Sequence, residues 1–207
     1  QYTGPTFASG SGSTLIAGSN SATFGGPLGL SSDITLTAGA TLSTETISNL
    51  VIGSLSGEAD TQVYFNTSNP AFGFTINSSN TATFAGVITS VGGIIKQGNG
   101  IQSLTGGNLY QGATLIQGGG ITLSGANGTI TSSSRIGISG GATLLVENFG
   151  SATNTNRIGD TAGVTLDSGT LRFTSDSATG NFSETMGALV LAGGTNTVSN
   201  AQAASGH

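Results

Sequence analysis

The chain has 207 residues, of which only 6 % are charged, with a net charge of −5, 36 glycines, and neither cysteine nor tryptophan. Its basic residues, Lys96, Arg135, Arg157 and Arg172, form no cluster, which argues against a nucleic-acid partner. Without cysteine there are no disulfide staples, and no apolar run approaches the roughly 20 residues that a membrane-spanning helix needs.

Ordinary domains carry charge on about a quarter of their residues, so this surface is dressed in Ser, Thr, Asn and Gln instead. Disorder is excluded because aliphatic and β-branched residues run through the whole sequence. The chain starts at Gln1, which fits a cleaved precursor or a piece of a longer chain.

In chain order, residues 1–20 are weakly patterned and predict a capping or frayed turn. An apolar-Thr-Leu unit, a small turn and a Gly-x-Thr-Leu unit then recur. The unit is Ile34 to Leu36 with Gly39 to Leu42, then Ile136 to Ile138 with Gly141 to Leu144. It returns as Val164 to Leu166 with Gly169 to Leu171, and as Leu189 to Leu191 with Gly194 to Val198. Leu15 and Leu42 stand 27 apart (42 − 15) and Leu115 and Leu144 stand 29 apart (144 − 115). Leu144 to Leu171 and Leu171 to Val198 are 27 each (171 − 144, 198 − 171). A fixed period in a β-rich, Gly-rich chain predicts an all-β parallel solenoid, one domain over 1–207. About eight turns at roughly 4.8 Å each make a rod on the order of 40 Å long. Leu115, Leu144 and Leu171 are expected in the core, and glycines at corners that need positive φ. The interval from Leu42 to Leu115 is not a multiple of the period, and Asn66 to Ala71 is expected to protrude there as a loop because it contains Pro70. Residues 201–207 read as a flexible tail or an end inside the next turn.

The most regular stretch, Phe84 to Leu123, alternates short β-branched runs with Gly-rich turns and leaves no room for a helix. Phe84, Gly86 and Ile88, followed by Gly93, Ile95, Lys96, Gly98, Gly100, Leu104, Gly106, Asn108, Tyr110, Gly112 and Thr114, resemble the passenger-associated transport repeat of bacterial autotransporters. Gln97, Asn99, Gln102 and Gln111 depart from that pattern but keep polar or small character. The resemblance implies a right-handed parallel β-helix on the bacterial cell surface, an outer-membrane translocator as partner, and a scaffolding role. Asn108 and Tyr110 stand out as a turn asparagine beside an aromatic.

The chemical alternatives are thin. Glu58 and Asp60 invite a Ca²⁺ reading, but calcium wants six to eight oxygens with several carboxylates. Asp160 lacks the flanking glycines of calcium-binding nonapeptides and reads as a turn aspartate. Gly137 to Gly141 fits the G-x-S-x-G string around Ser139, yet the only histidine is His207 and no helix follows. Arg157, Asp160, Asp167, Arg172 and Asp176 are the one concentration of charge that a polysaccharide-active β-helix enzyme could use; surface ion pairs are the simpler expectation. Pairs such as Thr35/Thr37 and Thr81/Thr83 do not recur at one position per turn, which counts against an ordered-water face. No catalytic residue and no cofactor is expected.

Two roles remain: a non-catalytic, surface-displayed stalk or adhesin-like passenger segment, packed against neighbouring solenoid segments, or a protomer of an extracellular filament whose identical copies stack end to end. If the periodic leucines form the core, Leu144→Asp places an unpaired charge there and costs several kcal/mol. Its circular-dichroism melt is expected to lose the cooperative β transition of the parent chain.

Overall fold

The computed structural model describes residues 4–17, 32–44, 50–65, 69, 73–176 and 182–203; these contain twenty short strands and no helix. In many of the strands a buried side chain is flanked by less buried ones. Strand Thr143–Asn148 shows this directly, with Leu144, Val146 and Asn148 buried and Thr143, Leu145 and Glu147 only partly covered. Such alternation leaves each strand one apolar face, which is buried by stacking on the same face of the next turn.

The strands build a parallel β-solenoid. One side is a nine-stranded sheet from Thr6–Ser9 at one edge to Thr197–Ala203 at the other; a second has seven strands, from Val51–Ile52 to Leu189–Gly193. A third has four, from Thr14–Ile16 to Val87–Thr89. All of their pairings are parallel. The seven-stranded side sets the count at about seven turns, one fewer than the period suggested. Beyond Val87–Thr89 the described residues of the third side form no sheet; single bridges, Gly107 to Thr129 and Ile130 to Ile158, carry it.

The 27-residue spacing holds at the ends of the rod. Leu15 pairs with Leu42, Leu144 with Leu171 and Leu171 with Val198. In between, the turns are shorter: hydrogen bonds between successive turns span 20 residues from Ile88 to Asn108 and again from Gln97 to Gln117. Shorter turns resolve the awkward interval between Leu42 and Leu115.

They also overturn the placement of Leu115. Leu115 pairs with Gly137, not Leu144, and faces outward; Thr114 and Ile116 on either side of it are the buried residues. Leu144 and Leu171 lie in the core as expected, in one column with Ile121. Unequal turns likewise hide hydroxyl pairs on the nine-stranded side, where Thr35 pairs with Ser56 and Thr83 with Ser103, which pairs in turn with the buried Thr122.

The glycines of the Phe84 to Leu123 stretch have a different reason from the one expected. Gly98 does sit at positive φ (69°), whereas Gly93, Gly100, Gly106 and Gly112 do not. These four are glycine because neighbouring turns leave no room for a β-carbon. A Cβ on Gly106 would lie 2.1 Å from the Gly86 oxygen, and one on Gly112 would lie 2.3 Å from the Gly93 nitrogen.

The loop expected at Asn66 to Ala71 lies, apart from Asn69, outside the described residues. Of residues 1–20, the described part forms two paired strands, Thr6–Ser9 and Thr14–Ile16. The first three residues of the expected tail are not loose: Ala201, Gln202 and Ala203 complete a strand on Thr174, Ser175 and Asp176, and 204–207 are outside the described residues.

Two substitutions separate crowding from backbone strain. Gly112→Ala is expected to cost about 3 kcal/mol because backbone must move. Gly141→Ala, at φ 79° with open space around it, is expected to cost about 1 kcal/mol. Urea unfolding of the two variants gives the comparison; equal losses would remove the close-approach explanation.

Candidate functional site

Polar side chains inside the coil are the chemically distinctive feature, and two of them, Gln102 and Asn108, lie where the sheet ladders are incomplete. Strand Gly93–Gln97 places Ile94 and Lys96 inward. Lys96 is fully buried, and its ammonium donates to the carbonyls of Gln97, Gly98 (3.0 Å) and, one turn away, Ser78 (3.5 Å). Burial without a carboxylate at this corner lowers its pKa from 10.5 to about 8.

Gln102 occupies an otherwise apolar column between Ala82 and Ile121. Ala82 is small enough for the Gln102 amide to pass beneath it and reach the strand two turns away. The amide accepts from Leu55 N (3.2 Å) and donates to Leu55 O (2.8 Å). Strand Leu55–Gly57 pairs with Ala82–Phe84 only at Gly57 and Phe84, so the amide replaces missing ladder bonds.

Asn108 does the same where the four-stranded side has ended. Its Oδ1 accepts from Ile88 N (3.1 Å), and its Nδ2 donates to Gly106 O (2.9 Å) and Thr129 O (3.1 Å), tying three turns together. Tyr110 is buried beside it. The phenol pairs with Thr114 Oγ1 (2.7 Å), which pairs in turn with Ser133 Oγ (2.9 Å). Burial pushes the Tyr110 pKa up; the Thr114 hydrogen bond opposes that rise.

Arg157 is the largest fully buried side chain among the described residues. Its Nε and one Nη reach Asn148 Oδ1 (3.2 and 2.9 Å); the Nη atoms also donate to Gly128 O (2.8 Å), Gly125 O (2.7 Å) and Ala152 O (3.1 Å). Burial works against the guanidinium charge, and the carboxylates of Glu184 and Glu147 partly restore it through space. Glu184 also accepts the backbone N–H groups of Arg157 (3.0 Å) and Ile158 (2.8 Å), with burial holding its own pKa above the usual carboxylate value. The expected surface ion pairs are therefore corrected for Arg157, which is inside the coil.

The remaining candidates are scattered. Asp160, Asp167 and Arg172 are exposed, with Asp167 and Arg172 on different sides of the coil, and Asp176 accepts from Gly150 N (2.7 Å). Glu58 spends its carboxylate on Ala38 N (2.7 Å), holding a corner residue at φ 51°. Ser139 ends a strand and enters a turn closed by Ala142 N to Ser139 O (3.1 Å). His207 is outside the described residues. Among the described residues no three histidine or carboxylate side chains converge.

Sequence reasoning passed over Lys96, Gln102 and Arg157 as interior groups. A signal existed for Lys96: counting by twos from Ile94 puts it inside. For Arg157 there was none, because Arg157 and Ile158 are both buried in succession and alternation fails on that side.

Lys96 makes stability depend on pH with a definite sign. Its folded pKa lies below the unfolded value, so the unfolded chain holds the extra proton between about pH 8 and 10.5, and stability rises with pH across that window. A gain on the order of 1 kcal/mol, discounted for solvent screening, is expected from pH 8 to pH 10 in urea titrations, and Lys96→Met is expected to flatten it. No protein-family model, curated protein or solved structure matches this chain.

Proposed function

We propose that this chain is a non-catalytic structural module, a β-solenoid stalk or adhesin-like passenger segment displayed outside a bacterial cell. One observation carries the reading: the buried polar side chains Lys96, Gln102, Asn108 and Arg157 are all bonded to main-chain groups. Chemistry that an active site would hold in reserve is used here to complete the backbone of the rod. The low surface charge and the resemblance of Phe84 to Thr114 to the transport repeat support an exported location and a translocator as partner. No cofactor enters this reading.

An epitope placed at the exposed Asn200 on the edge strand tests it. Antibody is expected to label intact cells, and external protease to remove the signal. Labelling only after lysis would end the surface assignment.

The last turn favours a second reading. Leu189, Leu191 and Val198 are 40 %, 60 % and 48 % exposed, while their ladder partners Val164, Leu166 and Leu171 are fully buried. A second copy stacked on this face would cover them and give an end-to-end filament. In that case sedimentation of the 207-residue chain shows concentration-dependent growth, which Leu191→Lys abolishes. A monomer at every concentration excludes it.

A further inference from the structure

The sequence contains two Asn-Gly pairs, Asn99–Gly100 and Asn127–Gly128, both with exposed asparagines. Asparagine followed by glycine is the arrangement most open to spontaneous cyclisation, because glycine has no β-carbon to block its nitrogen from the asparagine side-chain carbonyl. The two sites share that chemistry and differ in how the fold holds the attacking nitrogen. Gly100 N donates to Ser78 O at 2.8 Å, and Gly100 O accepts from Gly120 N at 3.2 Å, so this pair is clamped between the turns on either side. Asn127 sits in the turn at residues 125–127, and among the described residues neither its side-chain amide nor Gly128 N has a hydrogen-bond partner.

We propose that Asn127 is a self-modification site, converting to aspartate and isoaspartate while Asn99 is protected. Gly128 N loses its proton and bonds to the Asn127 Cγ; the Cγ–Nδ2 bond breaks and the side-chain nitrogen leaves as ammonia. Water then opens the resulting imide at either carbonyl. Opening at the former backbone carbonyl leaves the chain one methylene longer at residue 127 and adds a carboxylate.

The position matters because Gly128 O is one of the acceptors that hold the Arg157 guanidinium, at 2.8 Å, and Gly125 O, at the start of the same turn, is another at 2.7 Å. Lengthening the backbone between them displaces an acceptor of a fully buried cation. The site therefore couples the chemical age of the chain to the packing of its third side.

The test is incubation of the purified 207-residue chain at mildly alkaline pH, once folded and once in denaturant, with peptide mapping by mass spectrometry. In denaturant the two sites are expected to deamidate at similar rates. In the folded chain Asn127 is expected to react about tenfold faster than Asn99, the factor corresponding to one retained hydrogen bond on Gly100 N. Asn127→Gln, a change at an exposed turn residue, is expected to abolish the reaction at that peptide and leave Asn99 unchanged. Equal rates at both sites in the folded chain, or an Asn127 that reacts no faster than Asn99, would overturn the proposal.

Discussion

Every turn of this coil has to satisfy its backbone against the turns above and below it. Strand spacing across a parallel sheet is fixed at about 4.8 Å, and a buried N–H or C=O without a partner costs a large part of a hydrogen bond. That requirement holds whether the turn is 20 residues long, as from Ile88 to Asn108, or 27, as from Leu171 to Val198. The surplus or deficit of chain is taken up at the corners and on the third side. Glycine columns follow from the same constraint: Gly106 against Gly86 and Gly112 against Gly93 leave no space for a side chain.

Where strands are too short to complete a ladder, side chains stand in for backbone. Gln102 replaces the bonds missing around Leu55, and Asn108 joins three turns beyond the last strand of the four-stranded side. Arg157 extends this to a charged group, gathering carbonyls from the turns at Gly125, Gly128 and Ala152. Burying a cation this way is tolerable only because several dipoles converge on it, and removing any of them leaves the charge undercompensated. Polar residues in this interior thus hold unequal turns in register, and the apolar columns around Leu144 supply the bulk of the burial.

Asp33 shows the same logic at the rim. Its carboxylate accepts from Ser54 N and Oγ in the next turn and from Asn80 Nδ2 beyond that. Burial would raise its pKa, yet these donors outweigh burial and hold it below the ordinary value. Carboxylates committed to neighbouring turns, Glu58 and Glu184 included, are structural ties in this molecule. Through these ties much of the polar chemistry of the coil is directed from one turn to the next.

The solenoid class was legible in the sequence because its signals are local: β-branched runs too short for helices, glycine-rich turns, and leucines at equal intervals. Equal spacing sufficed to place Leu144 and Leu171 in the core, and alternation along a strand would have placed Lys96 there. Turn length was not legible. Leu115 was misassigned because equal spacing was extended across turns whose size had changed, and only pairing with Gly137 reveals the register. The reason for glycine at Gly93, Gly100, Gly106 and Gly112 was also hidden, since crowding depends on a neighbouring turn some 20 residues away, while positive φ is a property of the residue itself. What the sequence determined by itself was the repeating, half-apolar strand. Register, the interior position of Arg157 and Gln102, and the different hydrogen bonding of the two Asn-Gly pairs were decided by tertiary structure, because each depends on which distant backbone comes to lie within hydrogen-bonding reach.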